Sequence, residues 1–195
     1  MNLASSCVRS GFAQHVIQRG TQRVACFFST RDCLAYLNLL ARPAEAHACR
    51  VHAYALMGNH IHLLMTSPHT AGTADLMRAV RQGYERYATG TGSTGEETWA
   101  RAGSIMEEGY AASPIHAARH LLACMRYIEL NPVRAGVVRR PADHRWSSYG
   151  ANALGRDDPL VSPHPHYLAL GRDPALRRAA YRRSMDAILD GQVKE

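Results

Sequence analysis

The chain has 195 residues, enough for one domain with a substantial core and too few for two ordinary domains. Lys and Arg outnumber Asp and Glu by 23 to 16, and the formal charge of +7 favours a polyanionic partner, although many soluble proteins are basic without binding one. Five cysteines without a CxxC pair argue against a disulfide framework or a zinc knuckle, and no segment approaches the roughly 18 apolar residues of a membrane span. We therefore expect a cytoplasmic protein without membrane contact.

The first elements predicted along the chain are a strand and a helix. Residues 13–19, AQHVIQR, alternate in polarity as a strand does, and GTQR then interrupts the pattern. Ser29 and Asp32 offer a helix start, and we expect Arg42-Pro43 to interfere with the helix. The apolar stripe predicted for this helix consists of Leu34, Leu37 and Leu40.

A hairpin and a second helix follow. Segments 50–57 and 60–67 read as strands, and Gly58-Asn59 between them is typical of a two-residue turn. Residues 73–88 then carry apolar side chains at helical spacing. This stripe comprises Leu76, Met77, Val80, Tyr84 and Tyr87. Because both tyrosines match the stripe, core packing or DNA stacking is a better interpretation of them than nucleophilic chemistry.

The next segment predicts a polar linker, a fourth strand and a third helix. Residues 89–98 are small and polar, and 99–113 contain a plausible strand. Ser113-Pro114 predicts a helix start with proline in the first turn, and the helix should end near Asn131-Pro132. The order β-α-β-β-α-β-α describes an α+β fold, a ferredoxin-like (split βαβ) antiparallel sheet covered by helices.

Two histidines, His60 and His62, stand one residue apart on the second strand of the hairpin. Residues i and i+2 of a strand point to the same face roughly 6 to 7 Å apart, so both imidazoles can converge on one ion. The alternative is a pair of hydrogen-bonded histidines on a solvated sheet face. A second pair, His164 and His166, lies in a proline-rich context and shows that such spacing also arises by chance.

A nucleophile and a third ligand could come from RYIELNPVRAG at 126–136. Tyr127 and Asn131 are one helical turn apart and therefore share a helix face. If that face lies against the sheet, the Asn131 amide oxygen can reach an ion bound by the histidines, with the Tyr127 hydroxyl beside it. The alternative is that Tyr127 packs in the core and Asn131 only ends the helix.

Taken together, several motifs resemble the REP-associated tyrosine transposases, a branch of the single-tyrosine HUH transposases. The motifs are HVIQRG (15–20), HAYALMGNHIHLLMTSP (52–68), the helix containing YERY, RYIELNPVRAG (126–136) and PADHRWSSYGA (141–151). The likeness covers about residues 12–150, with a weaker echo in HYLALG at 166–171. It implies an HUH-type catalytic domain over 1–150, followed by a basic helical tail over 151–195.

The resemblance also implies a reaction and a site. His60 and His62 match the histidines that bind a divalent cation, Mg²⁺ or Mn²⁺; Asn131 matches a third ligand and Tyr127 the nucleophile. The implied activity is cleavage and joining of single-stranded DNA at hairpins or palindromic repeats through a 5′-phosphotyrosine intermediate. Relatives include monomers and homodimers. The alternative hypotheses are a non-catalytic nucleic-acid-binding protein derived from a transposase and a zinc-stabilised structural domain.

One segment departs from the family pattern. Where relatives have a stretch of the type GTLWEGR, Met106 takes the place of the tryptophan, Glu108 that of the glycine and Gly109 that of the arginine. The segment has thus lost a stacking ring and a positive charge and has gained a carboxylate, which weakens contact with DNA. We therefore expect the altered segment 96–111 to reduce the grip on DNA while the catalytic set is retained.

Overall fold

The computed structural model of the chain describes residues 11–90 and 105–192. Its centre is a four-stranded sheet with the order β2-β3-β1-β4, in which all neighbouring strands are antiparallel. The strands are β1 (Ala13–Arg19), β2 (Arg50–Leu56), β3 (His60–Thr66) and β4 (Ala111–Ile115). The helices of these residues are α1 (Thr30–Ala46), α2 (Gly72–Ala88), α3 (Ala118–Arg134), α4 (Tyr149–Leu154), α5 (Pro165–Leu168) and α6 (Pro174–Gln192). This confirms the predicted α+β, ferredoxin-like sheet.

Helices cover both faces of the β2–β3 hairpin. Side chains of α1 and α2 pack on one face with Ile61 and Leu63, and α3 packs on the other with Leu64. The predicted turn is confirmed: the Met57 N–H donates to the His60 carbonyl at 2.8 Å, which leaves Gly58 and Asn59 as the two turn residues.

Helix α1 begins as predicted and ends later than predicted. Ser29 and Asp32 form a reciprocal capping box at its start. The buried face is shifted from the predicted stripe, since Leu34 is 45% exposed. The buried hydrophobic residues of the helix are Cys33, Tyr36, Leu40 and Ala44. The expectation that Pro43 interrupts the helix was wrong, because buried Leu40 and Ala44 hold the helix against the core on both sides of it.

Helix α2 matches the predicted range, and its tyrosines pack in the protein. Tyr84 is fully buried, and its hydroxyl donates to the Cys26 carbonyl at 2.7 Å. The Tyr87 hydroxyl donates to Asp32 Oδ1 at 3.1 Å, which ties α2 to the start of α1. The packing interpretation of both tyrosines is therefore confirmed.

The boundary between the fourth strand and the third helix differs from the prediction. Ser113 and Pro114 belong to β4, and α3 begins at Ala118. Because β4 is at the edge of the sheet, a residue without an N–H is tolerated there. Pro132 likewise lies inside α3, where both it and Leu130 are buried, and the helix continues beyond its predicted end.

The altered segment is described only in part. The predicted linker 89–98 and the predicted strand 99–113 fall largely on residues 91–104, which lie outside the described residues. Met106 is fully buried in the core beneath α1 and α2, so a ring in its place would pack in the protein and could not stack on DNA. Glu108 and Gly109 are exposed.

The C-terminal helices share a core with α3. Tyr167, Tyr181 and Met185 are buried in the same cluster as the apolar face of α3. The carboxylate of Glu129 in α3 accepts hydrogen bonds from Ser148 Oγ at 2.6 Å, Asn152 Nδ2 at 2.8 Å and the Tyr181 hydroxyl at 2.9 Å. The domain boundary at residue 150 stays a prediction. No helix of the described residues is long and apolar enough to span a membrane.

Candidate active site

The histidine pair lies on the sheet face that α3 covers. In the register of β1 and β3, His60 stands opposite Arg19 and His62 opposite Ile17. Strand alternation places these side chains, and that of His15 two residues before Ile17, on one face. Helix α3 packs on this face, and its residue Tyr127 contacts the ring of His62. The pairing of β1 with β3 and the packing of α3 on the sheet therefore bring these residues together.

The histidines form a continuous hydrogen-bonded chain. Asn59 Oδ1 is 2.7 Å from His60 Nδ1, His60 Nε2 is 3.1 Å from His62 Nε2, and His62 Nδ1 is 2.9 Å from His15 Nε2. An amide oxygen only accepts, so His60 donates from Nδ1 and its Nε2 carries a lone pair. His62 then donates from Nε2 and accepts at Nδ1 from His15. One set of neutral tautomers satisfies the whole chain.

Burial keeps these imidazoles neutral. It lowers the pKa of His62 to about 3, with further lowering by the neighbouring His15 and His60. Burial and then the charge of Arg19 lower the pKa of His60, and burial lowers that of His15. A metal ligand must be an unprotonated nitrogen, so a cation held by both Nε2 atoms would require the proton of His62 to lie on Nδ1, where it can be donated to His15 Nε2.

The two Nε2 atoms of the pair are spaced as ligands of one octahedral ion. Ligands at right angles, each about 2.1 Å from the ion, would lie about 3 Å apart, and the observed separation of His60 Nε2 and His62 Nε2 is 3.1 Å. Within residues 11–90 and 105–192, no group of three or more His, Cys, Asp and Glu side chains is arranged to hold a metal ion. Any further ligands of such an ion would therefore be neutral protein groups, substrate oxygens or water.

Tyr127 stands beside the histidines. Its ring lies edge-on to those of His15 and His62, with 5.9 Å between centroids in each case, and the residue is 42% exposed. The Arg134 guanidinium lies over the ring at 5.2 Å from its centroid. The phenol thus lies beside the Arg134 guanidinium and is accessible to solvent.

Asn131 is one turn beyond Tyr127 and is half-buried. Its Nδ2 donates to the Tyr127 carbonyl at 3.2 Å, which leaves its amide oxygen for another partner. No hydrogen bond joins Asn131 to either histidine in the part of the chain that the structure describes. The fold therefore brings Tyr127 and both histidines together, while the role of Asn131 as a ligand stays a prediction.

Two residues of this site were not among those predicted from the sequence. His15 lies on β1, and only the pairing of β1 with β3 brings it to His62. Asn59 was interpreted as a turn residue, although its side chain also orients His60. The signal for His15 was present in the alternation of β1, which places it on the same face as Arg19.

The second histidine pair does not form a comparable site. The His164 ring packs against His52 at 4.8 Å between centroids. His52 uses both of its nitrogens, one with the Ser162 carbonyl at 2.7 Å and the other with Thr66 Oγ1 at 2.8 Å. These contacts hold the loop of His164 and His166 against β2 and explain the pair structurally.

Comparison with known proteins gives a family and a fold. A family model described as "Transposase IS200 like" matches residues 9–131. A structure of a REP-associated tyrosine transposase bound to a REP hairpin superposes with a TM-score of 0.65 at 14% identity, covering 84% of this chain and 93% of that one. A transposase structure from Deinococcus radiodurans R1 has 17% identity, covers 66% of this chain and 96% of that one, and has a TM-score of 0.42, too low to support an argument. No curated protein matches the chain.

Proposed function

Because the chain belongs to the family of IS200-like transposases, we propose that it cuts and rejoins single-stranded DNA beside hairpins in a reaction that depends on a divalent cation and uses Tyr127 as the nucleophile. The observation that carries this proposal is the placement of an exposed phenol edge-on to the ring of His62, whose Nε2 lies 3.1 Å from that of His60. In a metal-assisted phosphoryl transfer, the phenol would be the nucleophile and the two neutral imidazoles would bind the metal ion.

In the proposed site, His60, His62 and Asn131 would hold Mg²⁺ or Mn²⁺. The cation would supply positive charge beside a non-bridging phosphate oxygen, where negative charge builds up in the transition state. Imidazole ligands favour manganese, and the amide and phosphate oxygens suit either ion. A closed four-ligand zinc site is not favoured, because no three His, Cys, Asp or Glu side chains of the described residues are arranged to hold one ion.

The residues of the chain carry the chemical steps. The Tyr127 oxygen loses its proton and forms a bond to phosphorus, and the bond from phosphorus to the 3′ oxygen breaks. A proton returns to the 3′ oxygen, so the products are a 5′-phosphotyrosine and a free 3′-hydroxyl. Arg134, which lies over the tyrosine ring, and Arg19, which stands opposite His60, are placed to attract the phosphate.

The covalent link keeps the energy of the broken phosphodiester. A 3′-hydroxyl can therefore attack the phosphotyrosine and restore a DNA strand without ATP, which joins the strand to the original or to a new end. This reversibility distinguishes a transposase-like strand transferase from a hydrolytic nuclease, because water does not take part in either step.

The proposed substrate is a DNA hairpin with single-stranded flanks. Support comes from the structure of similar fold, which contains a REP-associated tyrosine transposase bound to a REP hairpin, and from the formal charge of +7. We further propose that the protein acts in the cytoplasm on chromosomal palindromic repeats. A homodimer is a further hypothesis, which sedimentation of the DNA complex would test.

The test of the proposed reaction is covalent labelling. A hairpin oligonucleotide with labelled single-stranded arms is incubated with the full chain and Mn²⁺, and denaturing gels are used to detect a protein–DNA adduct. We expect an adduct with the natural chain and none with Tyr127→Phe. The matched control is Tyr87→Phe on the opposite face of the sheet, which should keep the adduct. An adduct with Tyr127→Phe would remove Tyr127 from its role.

Metal dependence separates the enzyme from a binding protein. His60→Ala and His62→Ala should each abolish the adduct and keep much of the DNA affinity, because dispersed Lys and Arg side chains supply most of the phosphate contacts. Asn131→Ala should be milder, since water can replace one neutral ligand. Equal hairpin binding with Mn²⁺ and with EDTA, without any adduct, would instead favour the non-catalytic nucleic-acid-binding protein.

A further inference from the structure

A cavity of about 310 Å³ opens at the end of the sheet, between the β2–β3 turn, the start of α1 and the segment before α4. Aromatic and apolar side chains provide most of its wall, and no step of the proposed reaction uses them. The side chains that matter here are Phe27, Phe28, Met57, His144 and Trp146. We call this space the aromatic cavity. Its volume is at the lower end of the range for small-molecule sites.

The β2–β3 turn connects the aromatic cavity to the candidate active site. Gly58 lines the cavity, and its carbonyl accepts from the Cys26 N–H at 2.8 Å and the Phe27 N–H at 3.2 Å. The next residue, Asn59, orients His60 through its side-chain oxygen. The two sites therefore lie on either side of one tight turn, and a strand held at the histidines need only pass around this turn to reach the cavity.

The cavity wall suits a planar ring better than an anion. Phe28 is 58% exposed although it is a large apolar side chain. The backbone N–H groups of Phe28 and Ser29 donate to Asp32 Oδ2 at 2.7 and 3.0 Å, so a carboxylate already occupies the start of α1 and would repel a phosphate there. A neutral aromatic ligand meets no such repulsion.

Polar groups at the rim fit a nucleotide. The guanidinium of Arg145, an exposed residue, lies over the Trp146 ring at 4.4 Å from its centroid, where it can pair with a backbone phosphate outside the cavity. His144 Nε2 is 3.0 Å from the Leu56 carbonyl, so this nitrogen donates and the Nδ1 of the neutral ring is an acceptor. A nucleotide could thus stack its base on the aromatic wall, donate a hydrogen bond from the base to His144 Nδ1 and place its phosphate beside Arg145.

We propose that the aromatic cavity binds one unpaired nucleobase of the single-stranded arm next to the bond that Tyr127 attacks. This inference rests on the proposed function for the location of the strand, and it adds a base-binding site that contributes to the choice of the cleavage position. Stacking on Phe28 would provide most of the affinity, because every base offers a flat apolar face, and His144 would favour bases with a donor on the inserted edge.

The test is an abasic scan of a DNA stem-loop with single-stranded arms on both sides. Arm positions are replaced one at a time by abasic sites, and binding to the full chain carrying Tyr127→Phe is measured in EDTA, so that no cleavage occurs. At one arm position we expect the abasic site to weaken binding roughly 5- to 150-fold, the range for loss of one stacked base. In the additional presence of Phe28→Ala, that position should cause almost no further loss.

Two variants make the result specific. Phe28→Trp keeps a stacking ring and should retain the effect of the abasic site. Phe12→Ala removes another exposed phenyl ring, which lies beside the opposite end of β1, and should leave the scan unchanged. Because Phe28 is largely exposed, its replacement leaves the core intact.

The outcomes separate the two proposals. If no arm position is sensitive, or if the sensitive position loses as much affinity with Phe28→Ala as without it, the base-binding site is refuted. An adduct on Tyr127 in the Mn²⁺ assay would then still support the proposed reaction. Conversely, a sensitive position coupled to Phe28 without any adduct would support the base-binding site and contradict the reaction.

Discussion

Asn59 links the hairpin turn to the histidine pair through both ends of its amide. Its oxygen accepts from His60 Nδ1, and its Nδ2 donates to the Arg23 carbonyl at 3.1 Å. The first bond selects the His60 tautomer in which Nε2 carries no proton. The second bond holds the Asn59 amide in its orientation. Groups that orient a metal-binding imidazole in this way raise metal affinity without touching the ion.

Replacement of Asn59 should therefore weaken metal binding. We expect Asn59→Ala to reduce Mn²⁺ affinity by about 10- to 100-fold, and Asn59→Asp, which keeps an acceptor for His60, to retain most of it. Calorimetric titration with Mn²⁺ measures the effect. Asn38→Ala on the exposed side of α1 is the matched control and should bind as the natural chain does. Undiminished affinity in Asn59→Ala would show that the amide does not orient His60.

At the scale of elements, two faces of α3 make different contacts. One face carries Tyr127 over the histidines, and the other carries Glu129 into the core. The hydrogen bonds from Ser148, Asn152 and Tyr181 attach that carboxylate to the segment around α4 and to α6. The position of the proposed nucleophile over the sheet is thus set partly by residues beyond 140, which contact α3 from its far side.

Glu129 should make stability depend on pH. Burial raises its pKa from 4.5 to about 7, against the opposing effect of its three hydrogen bonds. The folded chain therefore holds this proton more tightly than the unfolded chain, so the contribution is fully present below about pH 4.5 and is lost as pH rises through about 7. The loss is on the order of 3 kcal/mol.

The test is urea unfolding at pH 5 and pH 7.5. Glu129→Gln should remove this part of the pH dependence, because the Tyr181 hydroxyl can accept from the new amide while Ser148 and Asn152 still donate to its oxygen. Glu45→Gln, on the exposed side of α1, serves as the control and should retain the natural profile. An identical profile in Glu129→Gln and the natural chain would contradict the assignment.

At the scale of the whole molecule, the distribution of charge around the candidate active site bears on the proposed binding of DNA. Glu108 and Gly109 are exposed just before β4, at the end of the sheet where Glu107 N–H donates to the Arg19 carbonyl at 2.9 Å. Arg19 stands opposite His60, so this segment passes close to the candidate active site. Glu108 is therefore an exposed acidic residue in a segment that lies next to the candidate active site.

Reversing this departure from the family pattern should strengthen binding. We expect Glu108→Gly combined with Gly109→Arg to tighten hairpin binding at low salt and to steepen the salt dependence by about one unit of slope. The labelled tyrosine should remain Tyr127. Glu45→Gln combined with Asn38→Arg, on the outer side of α1, gives a similar change of charge far from the site. Equal affinity in both double variants and the natural chain would show that this segment does not contact DNA.

The sequence by itself determined those features that depend on neighbours in the chain. Alternation predicted β1, the Gly58-Asn59 turn predicted the hairpin, and Ser29 with Asp32 predicted the start of α1, because each depends on interactions spanning a few residues. The pair His60 and His62 was visible for the same reason. The motifs also sufficed to identify the family, since their residue types and order can be read without coordinates.

Only the tertiary structure decided what depends on contacts between distant segments. His15 reaches His62 through strand pairing, Met106 enters the core beneath two helices, and Pro114 joins an edge strand because its neighbour in the sheet is β1. The aromatic cavity likewise brings Phe28 and Trp146 together from segments far apart in the chain. Burial and strand register act across the whole chain, so local propensity gives no information about these partners.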